Sequence, residues 1–322
     1  MSTIMNLGNN SLPFQCSYPN PPWLKTTDAP KKRIHLLALG DVGSTVLIGL
    51  KLLGSQDIES IGIYDISPEA CQRMEMELNQ ISLPFDFSSF PSIYILKEEA
   101  LFDCDLFLFC ASASVPKLGS TTKDVRMAQF DVNRKIVAHY AQLADQQHYK
   151  GLFCVISDPV DPLCREVLQH SNLSQEQIQG YGLGVMNARA AYFAKKDPRF
   201  ASFLTQGRAF GPHGLDLIIA DSITDYNPIL SAELTEQTIH SNLVTRSLGF
   251  KPYIAPALSS AALSILLTIR GDWHYSSNCI RGVFLGSKNR TTSEGLNWEV
   301  LELPDPLFQK IQTAYTHLEE IQ

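Results

Sequence analysis

The chain has 322 residues, a formal net charge of -7 and a pI near 5.6, which argues against nucleic acid as its main partner. Its apolar runs are too short to span a bilayer, and its first residues lack the basic-then-apolar order of a signal peptide. We therefore expect a soluble cytoplasmic protein with no membrane partner, and at roughly 150 residues per domain the length predicts two domains.

Residues 1–32 are rich in Pro, Asn and Ser and show neither helical nor strand periodicity. We interpret them as an N-terminal arm. Two alternatives stay open: a disordered tail, or an arm that docks on a neighbouring subunit through Phe14, Tyr18 and Trp23.

A strand, a glycine turn and a helix follow the arm. Residues 34–39 form an apolar run of strand length, Gly40-Asp41-Val42-Gly43 predicts the turn, and the apolar periodicity of residues 46–53 predicts the helix. A second strand, residues 61–64, ends at Asp65, roughly 20 residues after Gly43. This order is the beginning of a βαβ unit.

The turn and Asp65 together favour a dinucleotide site. Gly40 lets the backbone approach a pyrophosphate, Gly43 lets the helix pack on the strand, and Asp65 is placed to accept hydrogen bonds from the adenosine ribose. A carboxylate repels a 2′-phosphate, so the cofactor is predicted to be NAD. Since Ala38 replaces the first glycine of the fingerprint, an ordinary βα turn is the alternative.

Three further strands, residues 93–96, 106–110 and 152–156, alternate with helical segments. Five strands alternating with helices predict an α/β fold with a doubly wound parallel sheet, a Rossmann NAD-binding domain over residues 33–164. A mobile loop is expected over residues 111–120, at the carboxyl end of a strand where such sheets bind ligands.

The second half, residues 165–322, has a looser pattern that predicts a mixed α+β substrate domain. The segments 178–184, 209–211 and 217–223 are short apolar runs between Gly and Pro, and two long helices are predicted at 234–248 and 255–270. A hairpin of residues 282–285 and 298–303 should precede an amphipathic C-terminal helix beginning at Pro306.

The seven cysteines are scattered, and no C-x-x-C pair occurs. We interpret them as reduced, buried thiols, and no metal site is predicted. His213 lies between Gly211 and Gly214 in a turn, where its ring is available to a site. The alternative is a structural histidine.

From about residue 33 to 303 the chain resembles the lactate/malate dehydrogenase family. The resemblance depends on several motifs in the same order, each weak alone: LGDVG (39–43), Asp65, RMAQFDVNRKI (126–136), SDPVDPL (157–163), GYGLGVMNARAAY (180–192) and GPHG (211–214). The resemblance implies an NAD-dependent oxidoreductase that acts on a 2-hydroxy or 2-keto acid, and a homodimer or homotetramer.

The resemblance also implies roles for single residues. His213 matches the acid and base at the substrate oxygen, and Arg189 the guanidinium that binds the substrate carboxylate. Arg126 matches the arginine that polarises the carbonyl, and Lys117 lies near the position that selects the substrate side chain; a solvated charge is the alternative for both. The implied cofactor contacts are Gly40, Asp41, Val42, Gly43, Asp65, Cys110, Ala111, Ser112, Asn133 and Asp158.

The sequence departs from the family pattern at four positions. Met186 replaces the carboxylate that orients the histidine, Asp158 replaces an asparagine at the nicotinamide end, Pro252 replaces a threonine, and Ala38 a glycine. Either another acid, Asp216 or Asp158, orients His213, or the protein handles keto acids poorly.

Three functions remain open. The first is the NAD-dependent oxidoreductase, and the second is a catalytically weak NAD-binding homologue with a sensing or structural role. The third is an NAD- and metal-dependent glycoside hydrolase of the same superfamily, which requires a Cys/His metal pair that is not evident in the sequence.

Overall fold

The computed structural model describes residues 2–8, 17–26, 30–113 and 125–321, and only the backbone of residues 125–128. Within these ranges no helix has both the length and the apolar character needed to cross a membrane.

Six parallel strands in the order 3-2-1-4-5-6 form the centre of the molecule. The strands are β1 Lys32–Leu37, β2 Ile58–Tyr64, β3 Ser92–Ile95, β4 Leu106–Phe109, β5 Leu152–Val155 and β6 Ile178–Gly180. The predicted doubly wound sheet is therefore confirmed. Strand β6 continues the sheet beyond residue 164. The predicted domain boundary at that residue remains a prediction.

The helices of the first half are α1 Asp41–Leu53, α2 Pro68–Asn79, α3 Val125–Gln146 and α4 Val160–Gln169. They cover both faces of the sheet. Successive side chains of a strand point to opposite faces, so a strand that is apolar throughout must be covered on both. On β1, Ile34 and Leu36 pack on one apolar cluster with α1, whereas Leu37 packs on the other with α3 and α4.

The turn between β1 and α1 has a strained backbone. Ala38, at the position of the missing glycine, has φ +76°, the left-handed region that disfavours a Cβ. Gly43 cannot carry a side chain, because a Cβ there would lie 1.9 Å from the Ala38 carbonyl oxygen. The sheet, turn and helix therefore meet as closely as the sequence predicts.

The second half adds helices α5 Leu183–Ala194, α6 Phe203–Gln206, α7 Pro228–Ser247, α8 Leu263–Arg270 and α9 Asp305–Glu320, and strands β7 Arg208–Phe210, β8 Ile218–Ala220, β9 His274–Ile280, β10 Val283–Thr292 and β11 Gly295–Trp298. Strands β9 to β11 are antiparallel and extend the central sheet to nine strands, whereas β7 and β8 form a separate hairpin.

Three details of the second half differ from the sequence-based prediction. The predicted hairpin of residues 282–285 and 298–303 is instead formed by β10 and β11, and β11 ends at Trp298. The predicted helix over residues 255–270 is a π-helical stretch, Pro256–Ala262, followed by α8. Strand β9 was not predicted, because its sequence HYSSNCI is largely polar. Those polar side chains are buried in a hydrogen-bonded cluster, in which Gln179 of β6 donates to Ser276 at 2.6 Å.

The described parts of the N-terminal segment pack against the same chain and are not a disordered tail, whereas docking on a neighbouring subunit remains a prediction. Ile4 and Leu7 join the apolar cluster under α9, and Trp23 is buried in the cluster between β1 and α8. Tyr18 donates to the carbonyl of Lys150 at 3.4 Å. Phe14 lies outside the described residues.

Ala38→Gly should increase the free energy of unfolding by about 0.5–1 kcal/mol, because the relief of a left-handed alanine exceeds the added entropy of the unfolded chain. Urea unfolding followed by circular dichroism measures the change. Gly43→Ala is the matched control and should be destabilising, since its Cβ would overlap backbone. A lower midpoint for Ala38→Gly would contradict the strain.

Candidate active site

The amino end of α1 fits a pyrophosphate. Its first amides have no intrahelical partner, and the helix dipole favours an anion there. Gly40 is the N-cap, and a Cβ on it would meet nothing within 4 Å, so the space in front of the helix is open. At the edge of this space the Asp41 carboxylate pairs with Lys251 at 2.7 Å; Val42 follows in the first turn of α1.

Asp65, at the end of β2, holds the glycine turn in place. One carboxylate oxygen accepts the backbone N–H of Leu39 at 2.6 Å, and the other accepts that of Ser67 at 2.9 Å. Each oxygen has a second lone pair, so the carboxylate can still accept a ribose hydroxyl. These residues fit the adenosine half of NAD.

The carboxyl ends of β4 and β5 bring four of the predicted cofactor contacts together. The buried Asn133 of α3 accepts the backbone N–H of Ala113 at 3.0 Å and donates to the carbonyl of Asp158 at 2.8 Å and to Ser112 Oγ at 3.4 Å. Ser157 donates to the carbonyl of Ala111 at 2.7 Å. The amide of Asn133 thus joins the two strand ends.

The six described cysteines are free thiols, as predicted. Cys110, at the end of β4, lies beside Gly43, where a Cβ would meet its side chain at 3.3 Å. Burial raises the pKa of the Cys110 thiol, which disfavours a reactive thiolate. Among the described residues, no group of three or more His, Cys, Asp or Glu side chains could hold a metal ion.

Two predicted substrate contacts lie where the structure gives no side chain. Lys117 is outside the described residues, and Arg126 is described only as backbone in the first turn of α3. Their roles remain predictions.

His213 lies in the turn after β7, and its ring nitrogen Nδ1 is 2.7 Å from the carbonyl oxygen of Gly182. A carbonyl only accepts, so Nδ1 must carry a proton. In the neutral ring Nε2 is then the basic nitrogen. A side chain at position 182 is excluded, because a Cβ there would lie 2.8 Å from the His213 Cβ.

The described acceptor at Nδ1 is therefore a carbonyl and is neither Asp216 nor Asp158. Asp216 pairs instead with His317 at 3.0 Å. Met186, at the position of the family carboxylate, is buried in an apolar cluster, and its sulfur accepts from Arg189 at 3.6 Å. Thioether sulfur is a weak acceptor.

A buried carboxylate lies near the backbone of His213. Asp161, in the first turn of α4, accepts the hydroxyl of Ser277 at 2.6 Å, and the backbone of His213 lies close enough to lower the pKa of Asp161. Burial raises the pKa of Asp161 to about 7, while the Ser277 hydroxyl opposes the rise. Asp161 was not assigned from the sequence. Its place in SDPVDPL, just after β5, could have indicated a residue near the site.

Known proteins resemble this chain in sequence. Residues 32–180 match the family model described as lactate/malate dehydrogenase, NAD binding domain. The chain is 21% identical to a malate dehydrogenase of Sorangium cellulosum, over 73% of this chain and 76% of that protein. It is 24% identical to an L-lactate dehydrogenase of Staphylococcus haemolyticus, over 74% of each.

Solved structures share the fold. The malate dehydrogenase of Archaeoglobus fulgidus in complex with NADH superposes with a TM-score of 0.75 and 17% identity, covering 89% of this chain and 97% of that one. A minor L-lactate dehydrogenase from Enterococcus mundtii gives a TM-score of 0.74 and 17% identity, covering 90% and 96%.

Asp161 should make stability depend on pH. Because its folded pKa of about 7 exceeds the unfolded value, the folded protein holds a proton that the unfolded chain has released. The free energy of unfolding should fall between about pH 4 and 7, by at most about 1.4 kcal/mol per pH unit from this group, and then level off.

Asp161→Asn should remove this contribution, as measured by urea unfolding at a series of pH values. Ser277→Ala is the informative control. Without the donor to the carboxylate the pKa of Asp161 should rise, so the decline in the free energy of unfolding should extend to higher pH. If the wild type and Asp161→Asn show the same slope, Asp161 does not titrate in this range.

Proposed function

We propose that the chain is a divergent member of the lactate/malate dehydrogenase family, which its similarity to these enzymes supports, and that it is an NAD-dependent oxidoreductase for a 2-hydroxy or 2-keto acid. The observation that carries the proposal is the His213 ring, which has a fixed proton on Nδ1. It stands in a fold whose first half is an NAD-binding domain.

NAD(H), when bound, would supply or accept the hydride. The chain supplies the proton. In reduction of a ketone, protonated His213 gives the Nε2 proton to the developing alkoxide, and in oxidation neutral Nε2 takes the hydroxyl proton. A ring held by Nδ1 presents Nε2 in one orientation for both directions.

The Gly182 carbonyl performs one of the two tasks of a carboxylate. It fixes the tautomer and the orientation of the ring, but it carries no full negative charge to stabilise the imidazolium. Protonated His213 should therefore be less stable than a histidine beside a carboxylate. As the pH rises, the rate of reduction should decline at a lower pH than in an enzyme that keeps the carboxylate.

Arg189 is proposed to bind the substrate carboxylate, because a guanidinium forks onto a carboxylate with two parallel hydrogen bonds. Its described contact with the Met186 sulfur is weak by comparison. Arg126 and Lys117 are proposed to contact the carbonyl and the side chain of the substrate, respectively.

The alternative is a catalytically weak NAD-binding homologue with a sensing or structural role. The burial of Met186 in an apolar cluster favours it, since the position usually taken by a carboxylate has become part of the core. The two functions share the cofactor and differ in turnover.

The proposal includes a cytoplasmic homodimer or homotetramer. Apolar side chains on the outer surfaces of two helices support an oligomer: Ile48 and Leu52 of α1 and Leu243 and Val244 of α7 are all exposed in the single chain.

His213→Asn tests the proposal. It should lower NADH-dependent reduction of 2-keto acids by about 100-fold or more, because asparagine cannot transfer the proton, and it should leave NADH binding unchanged. Turnover is measured with pyruvate, oxaloacetate and longer 2-keto acids, and binding by NADH fluorescence.

His240→Asn is the matched control. This exposed histidine of α7 pairs with Glu236 on the same helix. If His213→Asn weakens NADH binding as much as it lowers turnover, His213 is a structural histidine. If the wild type binds NADH and reduces none of these acids, the non-catalytic alternative replaces the proposal.

A further inference from the structure

We propose that Ser260 is a positioning residue for the His213 ring and acts through the carbonyl oxygen of Gly182. The inference rests on the proposed role of His213 as acid and base. Ser260 was not predicted from the sequence, because it lies in the π-helical stretch of the second half, outside every motif named for the site.

Ser260 is 2% exposed, and both hydrogen-bonding functions of its hydroxyl are used. It donates to the Gly182 carbonyl at 2.6 Å and accepts the backbone N–H of Val185 at 2.8 Å. The same carbonyl accepts from His213 Nδ1 at 2.7 Å. Ser260 and His213 thus share one acceptor.

The Ser260 hydroxyl also caps the amino end of α5, although Ser260 lies in a different segment of the chain. Val185 is in the first turn of α5, where backbone N–H groups have no intrahelical partner. By satisfying this amide, Ser260 fixes the start of α5 against the π-helical stretch. The close approach there needs a glycine, since a Cβ on Gly184 would lie 2.6 Å from the carbonyl oxygen of Ser259.

The Gly182 peptide requires such a restraint. Gly182 precedes α5 with φ -130° and ψ -37°, and a glycine has no side chain to limit rotation of its peptide groups. Without Ser260 the carbonyl could turn away from the ring, and Nδ1 would lose its fixed acceptor. Because the acceptor is neutral, its direction is all that selects the tautomer.

Nuclear magnetic resonance of the full chain labelled with ¹⁵N in the histidine rings tests this directly. The chain has eight histidines, and His213→Asn identifies the His213 signals. At a pH where the ring is neutral, the wild type should show a protonated Nδ1 and an unprotonated Nε2. Ser260→Ala should move both signals towards averaged values, as two tautomers exchange.

Two controls separate positioning from packing. Ser264→Ala removes a buried hydroxyl one turn further on, which bonds to the carbonyl of Ser259 and not to Gly182, and it should leave the ring signals unchanged. Ser260→Thr keeps the hydroxyl and should restore the wild-type tautomer. If Ser260→Ala does not fold, Ser260→Cys, a weaker donor, should shift the signals partly.

Unchanged ring signals in a folded Ser260→Ala or Ser260→Cys would overturn the proposal. Turnover is the second readout: Ser260→Ala should lower kcat by about five- to ten-fold, the worth of one hydrogen bond, with KM and NADH affinity unchanged. A tautomer shift in a protein without measurable turnover would support the positioning role and contradict the proposed function instead.

Discussion

The geometry of the site depends on one neutral acceptor, the carbonyl oxygen of Gly182. It lies 2.7 Å from His213 Nδ1 and 2.6 Å from Ser260 Oγ, so ring and hydroxyl are fixed on one atom. A carbonyl defines a direction as well as a carboxylate does, but the opposite charge that favours an imidazolium is missing. The His213 ring therefore keeps one orientation, while Met186, at the position where the resemblance implies a carboxylate, is part of the core.

The sheet explains how distant segments of the chain meet at one edge of the molecule. Carboxyl ends of parallel strands share one edge, where open α/β sheets bind ligands. The glycine turn and Asp65 follow β1 and β2, the amide of Asn133 joins the ends of β4 and β5, and Gly182 follows β6. The second half then supplies His213 from the turn between β7 and β8, and the buried Asp161 of α4 lies near the backbone of that turn.

The parallel sheet was predictable because buried strands and the glycine turn leave local patterns, and His213 was found because its turn is short and glycine-bounded. Contacts formed between distant segments left no such pattern. Ser260 is an ordinary serine among small residues, and only its packing on α5 reveals it. Strand β9 was missed because its polar residues are satisfied by Gln179 and by β10, partners that no local window includes. The Ala38 departure was seen, but its left-handed φ required the structure.

The central proposal is that a neutral carbonyl orients His213, the proposed acid and base. The most direct test is the pH dependence of 2-keto acid reduction in Met186→Asp beside the wild type. A carboxylate at this position should stabilise protonated His213, raise the pH at which reduction declines by about one unit or more, and increase the rate at neutral pH. Coincident pH profiles in a folded variant that binds NADH normally would contradict the claim.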